Sequence, residues 1–367
     1  MSFYDEYLQY AKGNIEEVFQ NTTSEDIIKI LGKERLTAKD FLVLLSPKGE
    51  EHLELMAQKA NQLTVQNFGR VILLYTPMYL SDYCTNQCTY CGFNITNAFT
   101  RKQLTMEEVE KEAKNIAASG IQHILILTGD APVRAGVSYM EDCVQILKKY
   151  FSSIAIEVYA LTKEAYAKLG EAGVESMTMY QETYNPIIYD KLHVKGPKKD
   201  YHFRLDAPER ACQAGLRSVN IGALLGLDDW RRDGFYTGLH ANYLQNKYPD
   251  VEVSISLPRI RPTMGACETG SSVNDKNMVQ FMTAFRLFMP RAGMPLSTRE
   301  SAEFRNHAIK LGITKMSAGV NTAVGGHIEV QENAGQFAVS DTRSVKEMSK
   351  AILQLGYQPV FKDWQAI

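Results

Sequence analysis

The 367-residue sequence lacks the features that mark exported proteins, membrane proteins and proteins that coat nucleic acid. Its first residues are acidic and amphipathic, with no basic region leading into an apolar one. No stretch approaches the roughly 18 uninterrupted apolar residues of a membrane helix. Lys and Arg total 40 against 42 Asp and Glu, with no long run of one sign to follow a phosphate backbone. The sequence therefore predicts a globular, cytoplasmic protein that binds neither nucleic acid nor membrane.

Cysteine is also scarce, yet three of the six cysteines lie close together as Cys84, Cys88 and Cys91 in "CTNQCTYC". A reducing cytosol makes a disulfide framework improbable, so such a group indicates metal binding or redox chemistry. Cys143 and Cys212 lie in helical patterns, where a free cysteine usually serves as a small core residue. The triplet is therefore the part of the cysteine content that calls for a functional explanation.

Three kinds of site could use the triplet. A structural zinc site would need four Cys or His ligands in paired knuckles, and the histidines are scattered singly. A redox pair would use Cys88 and Cys91 at Cys-x-x-Cys spacing but would leave Cys84 unexplained. An iron-sulfur cluster with three protein thiolates uses all three and keeps one iron open for a further ligand. The missing fourth ligand is then the functional feature.

Short apolar, β-branched runs alternate with amphipathic helical patterns along most of the chain. Continuous apolar strands, each followed by a helix, indicate a parallel sheet covered on its outer face, and eight such units predict an α/β fold of the (β/α)8 barrel type. The runs begin at residues 70, 123, 153, 176, 218, 251, 294 and 313. We expect a helical extension over 1–65, the barrel over 66–325, and a C-terminal extension over 326–367 that contains a last helix and packs on the barrel.

Active sites of parallel barrels lie at the carboxyl ends of the strands, and the triplet falls in the first such loop. Three cysteines at this spacing, with the aromatic Tyr90 before the last one, resemble the radical S-adenosylmethionine (radical SAM) superfamily. The resemblance implies a [4Fe-4S] cluster on Cys84, Cys88 and Cys91, with S-adenosylmethionine on the open iron and Tyr90 against its adenine. Reduction of the cluster would then cleave the sulfonium to a 5'-deoxyadenosyl radical.

The resemblance extends over nearly the whole chain and is nearest to the aromatic amino acid lyases, in particular the tyrosine lyases of thiazole biosynthesis. Segments that carry it include "YLSDYCTNQCTYCGF", "MYQETYNPIIYDKLHVKGPKKDYHFRLDAPERACQAG", "STRESAEFR" and "GYQPVFKDW". It implies cleavage of the Cα–Cβ bond of L-tyrosine to p-cresol and 2-iminoacetate (dehydroglycine). A reductant such as flavodoxin or ferredoxin and a thiazole synthase are the implied partners.

Further cofactor contacts follow from the same resemblance. Thr128, Gly129 and Asp130 end the second strand where the superfamily holds the methionine amino group. Glu182 ends the fourth strand, where a carboxylate can accept the ribose hydroxyls, although a solvated surface residue is the alternative. Arg204 matches the position of a cation against the methionine carboxylate, which suits a guanidinium fork.

A barrel that binds a free amino acid needs a cation for its carboxylate, because an unpartnered buried carboxylate costs several kcal/mol. The candidates at the ends of the last three strands are Arg259, Arg299 and Ser317. We expect Arg299 to bind the carboxylate, with Ser317 hydrogen-bonded to the same group. The alternative for each arginine is a loop ion pair with a neighbouring carboxylate.

Other functions remain compatible with the sequence. The same architecture could cleave another aromatic amino acid such as tryptophan. The related maturases that cleave tyrosine carry an additional cysteine-rich cluster domain, and the absence of any cysteine after Cys267 favours the thiazole enzymes over them. A cluster-binding scaffold without turnover is the alternative from another class of protein, and cleavage of S-adenosylmethionine would exclude it.

Overall fold

The computed structural model describes residues 2–261, 270–328 and 336–362, so Cys267 lies outside the described part of the chain. The helices are α1 (Phe3–Ala11), α2 (Ile15–Asn21), α3 (Ser24–Leu31), α4 (Ala38–Leu44), α5 (Pro47–Glu50), α6 (Leu53–Phe68), α7 (Met106–Ala118), α8 (Val137–Leu147), α9 (Lys163–Ala172), α10 (Pro186–Leu192), α11 (Tyr201–Leu205), α12 (Ala207–Gln213), α13 (Trp230–Lys247), α14 (Asp275–Phe288), α15 (Ala302–Ala308) and α16 (Val345–Gln354). The strands are β1 (Val71–Ser81), β2 (His123–Thr128), β3 (Ser153–Glu157), β4 (Ser176–Glu182), β5 (Ser218–Ala223), β6 (Glu252–Ser256), β7 (Pro295–Leu296), β8 (Lys315–Ser317) and β9 (Gln358–Val360).

Eight parallel strands form the predicted barrel, in the order β6-β5-β4-β3-β2-β1-β8-β7. The ring closes at Gly293, whose amide donates to Val253 O (3.1 Å) and whose carbonyl accepts from Ile255 N (3.0 Å). A Cβ on Gly293 would meet Ser254 Cβ at 2.8 Å, so only glycine permits this approach without a shift. The (β/α)8 prediction and the eight predicted strands are confirmed.

A ninth strand, which the sequence pattern did not indicate, lies in the C-terminal tail. β9 runs parallel to the start of β1, with Val71 opposite Gln358 and Leu73 opposite Val360. The preceding segment is fixed by a buried ion cluster in which Asp341 pairs with Arg305 and with Arg343 (2.6 Å). The C-terminal segment is thus joined to the barrel by backbone pairing and by buried charge.

The helices before β1 cover the outer helices of the later barrel units. α6 packs along α14, α4 contacts α13 and α14, and α1 contacts α13. Two ring stacks fix these contacts, Phe41 on Phe288 at 4.8 Å and Phe3 on His240 at 4.1 Å between centroids. Within the described residues, no helix combines the length and apolar character that crossing a membrane requires.

Candidate active site

The carboxyl ends of the barrel strands surround a cavity of about 1070 Å³, which we call the upper chamber. A lower chamber of about 550 Å³ lies deeper in the barrel and shares several wall residues with it, including Tyr79, Glu157, Tyr180 and Arg299. Ten of the residues singled out in the sequence line the upper chamber: Cys84, Cys88, Tyr90, Cys91, Thr128, Gly129, Asp130, Glu182, Arg204 and Arg299. The structure therefore gathers residues from five separate stretches of sequence around one space.

The cysteine loop follows β1, and hydrogen bonds to its backbone groups hold it from two sides. Arg101 donates to the carbonyl oxygens of Phe93 (3.1 Å) and Asn94 (2.7 Å), which closes the loop behind the cysteines. On the other side, the amides of Gln87 and Thr89 donate to carbonyls of the segment 192–195 at 2.8 and 3.1 Å. These hydrogen bonds between protein groups fix the position of the loop.

Two of the thiols, those of Cys88 and Cys91, lie in an environment that favours their protonated form. Burial raises the pKa of Cys88 to about 12 and also raises that of Cys91, and the Lys198 ammonium opposes both shifts. Metal binding would displace these protons. The three thiols line one cavity, which suits a cluster in which each thiolate binds its own iron.

The segment Thr128–Asp130 packs directly against the cysteine loop. A Cβ on Gly129 would lie at 3.2 Å from Cys84 Cβ and well inside contact distance of the Tyr83 carbonyl oxygen, so the close approach requires glycine. Asp130 is fixed by Asn86, whose side-chain amide donates to Asp130 Oδ2 (2.7 Å).

Two polar atoms of this segment face the upper chamber without a protein partner. Thr128 Oγ1 and Asp130 Oδ1 are buried and have no hydrogen bond to any described residue. Burial raises the pKa of Asp130, although the Asn86 bond works against the shift. Buried acceptors of this kind require a donor, and the ammonium group of S-adenosylmethionine is a donor of the right chemistry. The donor set of the cavity thus fits both the cluster and the predicted cofactor.

Glu182 has an unusual backbone conformation, and its carboxylate is held by two cations. Its φ of 71° lies in the left-handed region, at a point where the register between β4 and β5 shifts. Its carboxylate accepts from Lys198 Nζ (2.5 Å) and Arg204 Nη2 (3.3 Å). Burial alone would raise the pKa of Glu182, but these two cations outweigh burial and lower it. Arg204 is therefore paired with Glu182, and Lys198 is a site residue that the sequence reasoning missed.

Tyr90 is oriented by a histidine from the segment that backs the cysteine loop. Its hydroxyl lies 2.7 Å from His193 Nε2, and its ring centroid is 5.4 Å from Lys198 Nζ. Burial lowers the pKa of His193 to about 3, so the ring is neutral and can share one proton with the tyrosine hydroxyl. The Tyr90 ring is thereby presented to the upper chamber.

The three predicted substrate residues have different positions. Arg299 lines both chambers, its guanidinium lies 3.6 Å from the Phe337 ring centroid, and it forms no ion pair with a described residue. Ser317 lines the lower chamber, and its buried hydroxyl has no partner there. Arg259 does not line either chamber, because it pairs with the buried Glu300 and with an exposed aspartate of α14. The loop ion pair is thus the arrangement found at Arg259.

Sequence and structure comparisons relate this chain to known proteins. Residues 78–237 match the model of the radical SAM superfamily, and residues 256–358 match the Biotin and Thiamin Synthesis associated domain. The chain is 37% identical over 366 residues to 2-iminoacetate synthases from Salmonella typhimurium and Escherichia coli, covering 100% of this chain and 97% of each relative. The crystal structure of HydG, a maturase of the [FeFe]-hydrogenase, superposes with a TM-score of 0.90 at 32% identity, covering 95% of this chain and 79% of HydG.

The matched ranges include the segments that form the upper chamber. The superfamily match begins within β1 and includes the cysteine loop, the Thr128–Asp130 segment and Glu182. The relationship to the synthases spans all of the chain, including the segments that carry Arg299 and Ser317. The chain belongs to the radical SAM superfamily and, within it, to the family of the 2-iminoacetate synthases.

Proposed function

We propose that this protein is a 2-iminoacetate synthase, a carbon-carbon lyase that cleaves L-tyrosine to p-cresol and 2-iminoacetate. The observation that carries the proposal is 37% sequence identity, over the full length of the chain, to proteins of that name. One cavity that is lined by the three cysteines and by the unpaired Arg299 supports it. The Biotin and Thiamin Synthesis match supports a place in the formation of the thiazole of thiamine.

Cluster and S-adenosylmethionine, when bound, supply a strongly oxidising carbon radical after one-electron reduction. Cys84, Cys88 and Cys91 would hold the cluster. Thr128 Oγ1 and Asp130 Oδ1 would accept hydrogen bonds from the methionine ammonium, and the Tyr90 ring would lie against the adenine. Glu182 keeps its negative charge because two cations hold its pKa low, so it can accept hydrogen bonds from ribose hydroxyls while Arg204 stays close to the methionine carboxylate.

The residues around the substrate bind and orient it. Arg299 is positioned to bind the amino acid carboxylate, and Ser317 can donate a hydrogen bond to the same group from the lower chamber. Apolar and aromatic wall residues suit the phenol ring and exclude stray hydrogen donors, which would otherwise quench a radical. The protein's part in cleavage is to hold substrate and cofactor in one orientation, a contribution that can reach several kcal/mol of the barrier.

The proposal includes partners and a cellular location. Turnover needs one electron per cofactor cleavage, so a small reductant such as flavodoxin or ferredoxin is the expected donor. 2-Iminoacetate hydrolyses readily to glyoxylate, so direct transfer to a thiazole synthase is the expected fate of the product. A cytoplasmic location, where we expect both partners, is part of the same proposal.

The test is an anaerobic assay of the reconstituted, reduced protein with S-adenosylmethionine and either tyrosine or tryptophan. We expect 5'-deoxyadenosine, p-cresol and glyoxylate from tyrosine alone. Cys88→Ala should lose the cluster and all products. Cys143→Ala, at a buried core cysteine of α8, is the matched control and should keep both. Deoxyadenosine without p-cresol would refute the substrate, and a fully loaded cluster without either product would favour a scaffold.

A further inference from the structure

Glu157 is a charged residue of the cavity that none of the predicted cofactor contacts engages. It ends β3, and its carboxylate lies on the wall that the upper and lower chambers share. Its carboxylate forms no hydrogen bond and no ion pair with any residue that the structure describes. A carboxylate in such a place has lost much of its hydration without gaining a partner, which is costly unless a ligand supplies one.

Arg299 is in the complementary situation. It lines the same two chambers, stacks on Phe337 and has no carboxylate partner among the described residues. Burial raises the pKa of Glu157, and the Arg299 charge opposes that shift, so the two groups interact electrostatically across the cavity. An unpaired cation and an unpaired anion that share one space form a site for a ligand that carries both charges.

The other described carboxylates of the upper chamber are engaged elsewhere. Glu182 is held by Lys198 and Arg204. Asp130 is fixed by Asn86 through Oδ2, and its free Oδ1 lies beside the cysteine loop, where we expect the cofactor ammonium group. Of the described residues around the two chambers, Glu157 is therefore the carboxylate that is available to a substrate ammonium group.

We propose that Glu157 binds the α-ammonium group of the substrate amino acid, opposite Arg299 on the α-carboxylate, and accepts one proton from that ammonium before the reaction. The transfer converts –NH3+ and carboxylate into –NH2 and carboxylic acid, and no electron moves. It places a neutral amino group at the junction of the two chambers. This inference rests on the proposed function only for the nature of the side chain, because any α-amino acid presents the same two charges.

The electrostatics around Glu157 suit a proton acceptor. Burial raises the pKa of Glu157 to about 7, Arg299, Arg204 and Lys198 oppose the shift, and Glu182 adds to it. A group that titrates near the working pH can both receive and return a proton. The hydroxyl groups that also face it belong to Tyr75, Tyr79 and Tyr180.

The first test is a comparison of ligands that lack one charge, using protein loaded with cluster and S-adenosylmethionine but not reduced. Dissociation constants are measured for L-tyrosine, tyramine, which lacks the carboxylate, and 3-(4-hydroxyphenyl)propionate, which lacks the ammonium. Glu157→Gln should weaken tyrosine and tyramine about ten- to a hundredfold and leave the propionate unchanged. Arg299→Gln should weaken tyrosine and the propionate and leave tyramine unchanged.

Two outcomes of this test would overturn the proposal. Equal weakening of all three ligands by Glu157→Gln would place the carboxylate against the phenol or give it a purely structural role. No weakening of any ligand would remove Glu157 from the substrate site. Glu164→Gln, on the exposed first turn of α9, is the matched control and should change nothing. Because this test measures binding alone, it can succeed even if the tyrosine cleavage assay fails.

The second test addresses the proton. The pH profile of kcat/KM for the wild type should fall below about pH 7, because protonated Glu157 can no longer take the ammonium proton, and Glu157→Gln should lose this limb together with most of kcat. A limb that persists unchanged in Glu157→Gln would refute the role as proton acceptor. Equal circular dichroism and iron content in both proteins would show that folding and cluster loading are not responsible.

Discussion

The contact between Gly129 and the cysteine loop makes Gly129→Ala a direct probe of how the loop is positioned. The new Cβ would lie 2.9 Å from Tyr83 C and 3.2 Å from Cys84 Cβ, and closer still to the Tyr83 carbonyl oxygen. Two of these atoms belong to the backbone, which cannot rotate away as a flexible side chain could. The loop and the end of β2 must therefore move apart by about 1 Å.

The cost of that movement can be estimated from the bonds that join the two segments. Thr85 donates to Asp130 O through both its amide and its hydroxyl (2.9 Å each), and Asn86 donates to Asp130 Oδ2. Losing these three bonds at about 1 kcal/mol each, on top of an overpacking cost of about 1–3 kcal/mol, gives about 4–6 kcal/mol. Since 1.4 kcal/mol is a factor of ten, we expect cluster or cofactor affinity to fall at least tenfold.

The assay is iron content and the visible absorbance of the reconstituted cluster, followed by S-adenosylmethionine binding. Gly32→Ala is the matched control, because its new Cβ would meet nothing nearer than 3.4 Å and its φ of −76° suits alanine. If Gly129→Ala loads a full cluster and binds the cofactor as the wild type does, the close approach has no functional consequence and the reasoning is wrong.

Three further changes test other features of the fold and site. Lys198→Met should raise the pKa of the Glu182 carboxylate and weaken S-adenosylmethionine binding about tenfold. Equilibrium dialysis should show a larger loss of affinity at pH 6 than at pH 8. Lys199→Met, at the exposed neighbouring lysine, is the control and should leave the affinity unchanged. Asp341→Asn leaves a fully buried guanidinium unpaired and should cost about 3–5 kcal/mol of unfolding free energy by urea titration. Because the folded pKa of Asp341 is lowered to about 2, its contribution should be present above about pH 4 and lost as the pH falls toward 2 in the wild type but not in the variant. Gly293→Ala should lower the melting temperature by an overpacking cost of about 1–3 kcal/mol, and Ser254→Gly should restore it, since the clash is between those two Cβ positions.

The barrel could be predicted because the local sequence pattern of most strands is sufficient to identify them. Continuous apolar runs such as "HILILT", ended by a polar residue and preceded by the capped helix α7, specify a buried parallel strand with little help from distant residues. β9 escaped because three residues with a central proline, Pro359, carry no such pattern and become a strand only by pairing with β1. Local sequence pattern was therefore sufficient to predict the eight barrel strands but not β9.

The site was predictable as far as a motif or a strand end marks each residue. The cysteines, the Thr128–Asp130 segment and Arg299 all lie in such places, and all line the upper chamber. Arg259 also lies at a strand end, but it pairs with Glu300, which is 41 positions away in sequence. Only the folded structure shows which arginine forms an ion pair with a given carboxylate. Lys198 was missed because "VKGPKKD" reads as a solvated lysine-rich turn.

The pairing of β1 has a consequence for how the chain is made. Val71 leaves the ribosome long before its partner Gln358, and at about 5–20 residues per second the interval is on the order of 15–60 s. During that time the β8 and β9 sides of a largely apolar strand have no partner, which is the condition that favours edge-to-edge aggregation. Nascent chains that have completed the first six units should therefore be strong clients for chaperones that shield exposed strands, and release should coincide with synthesis of the last fifty residues.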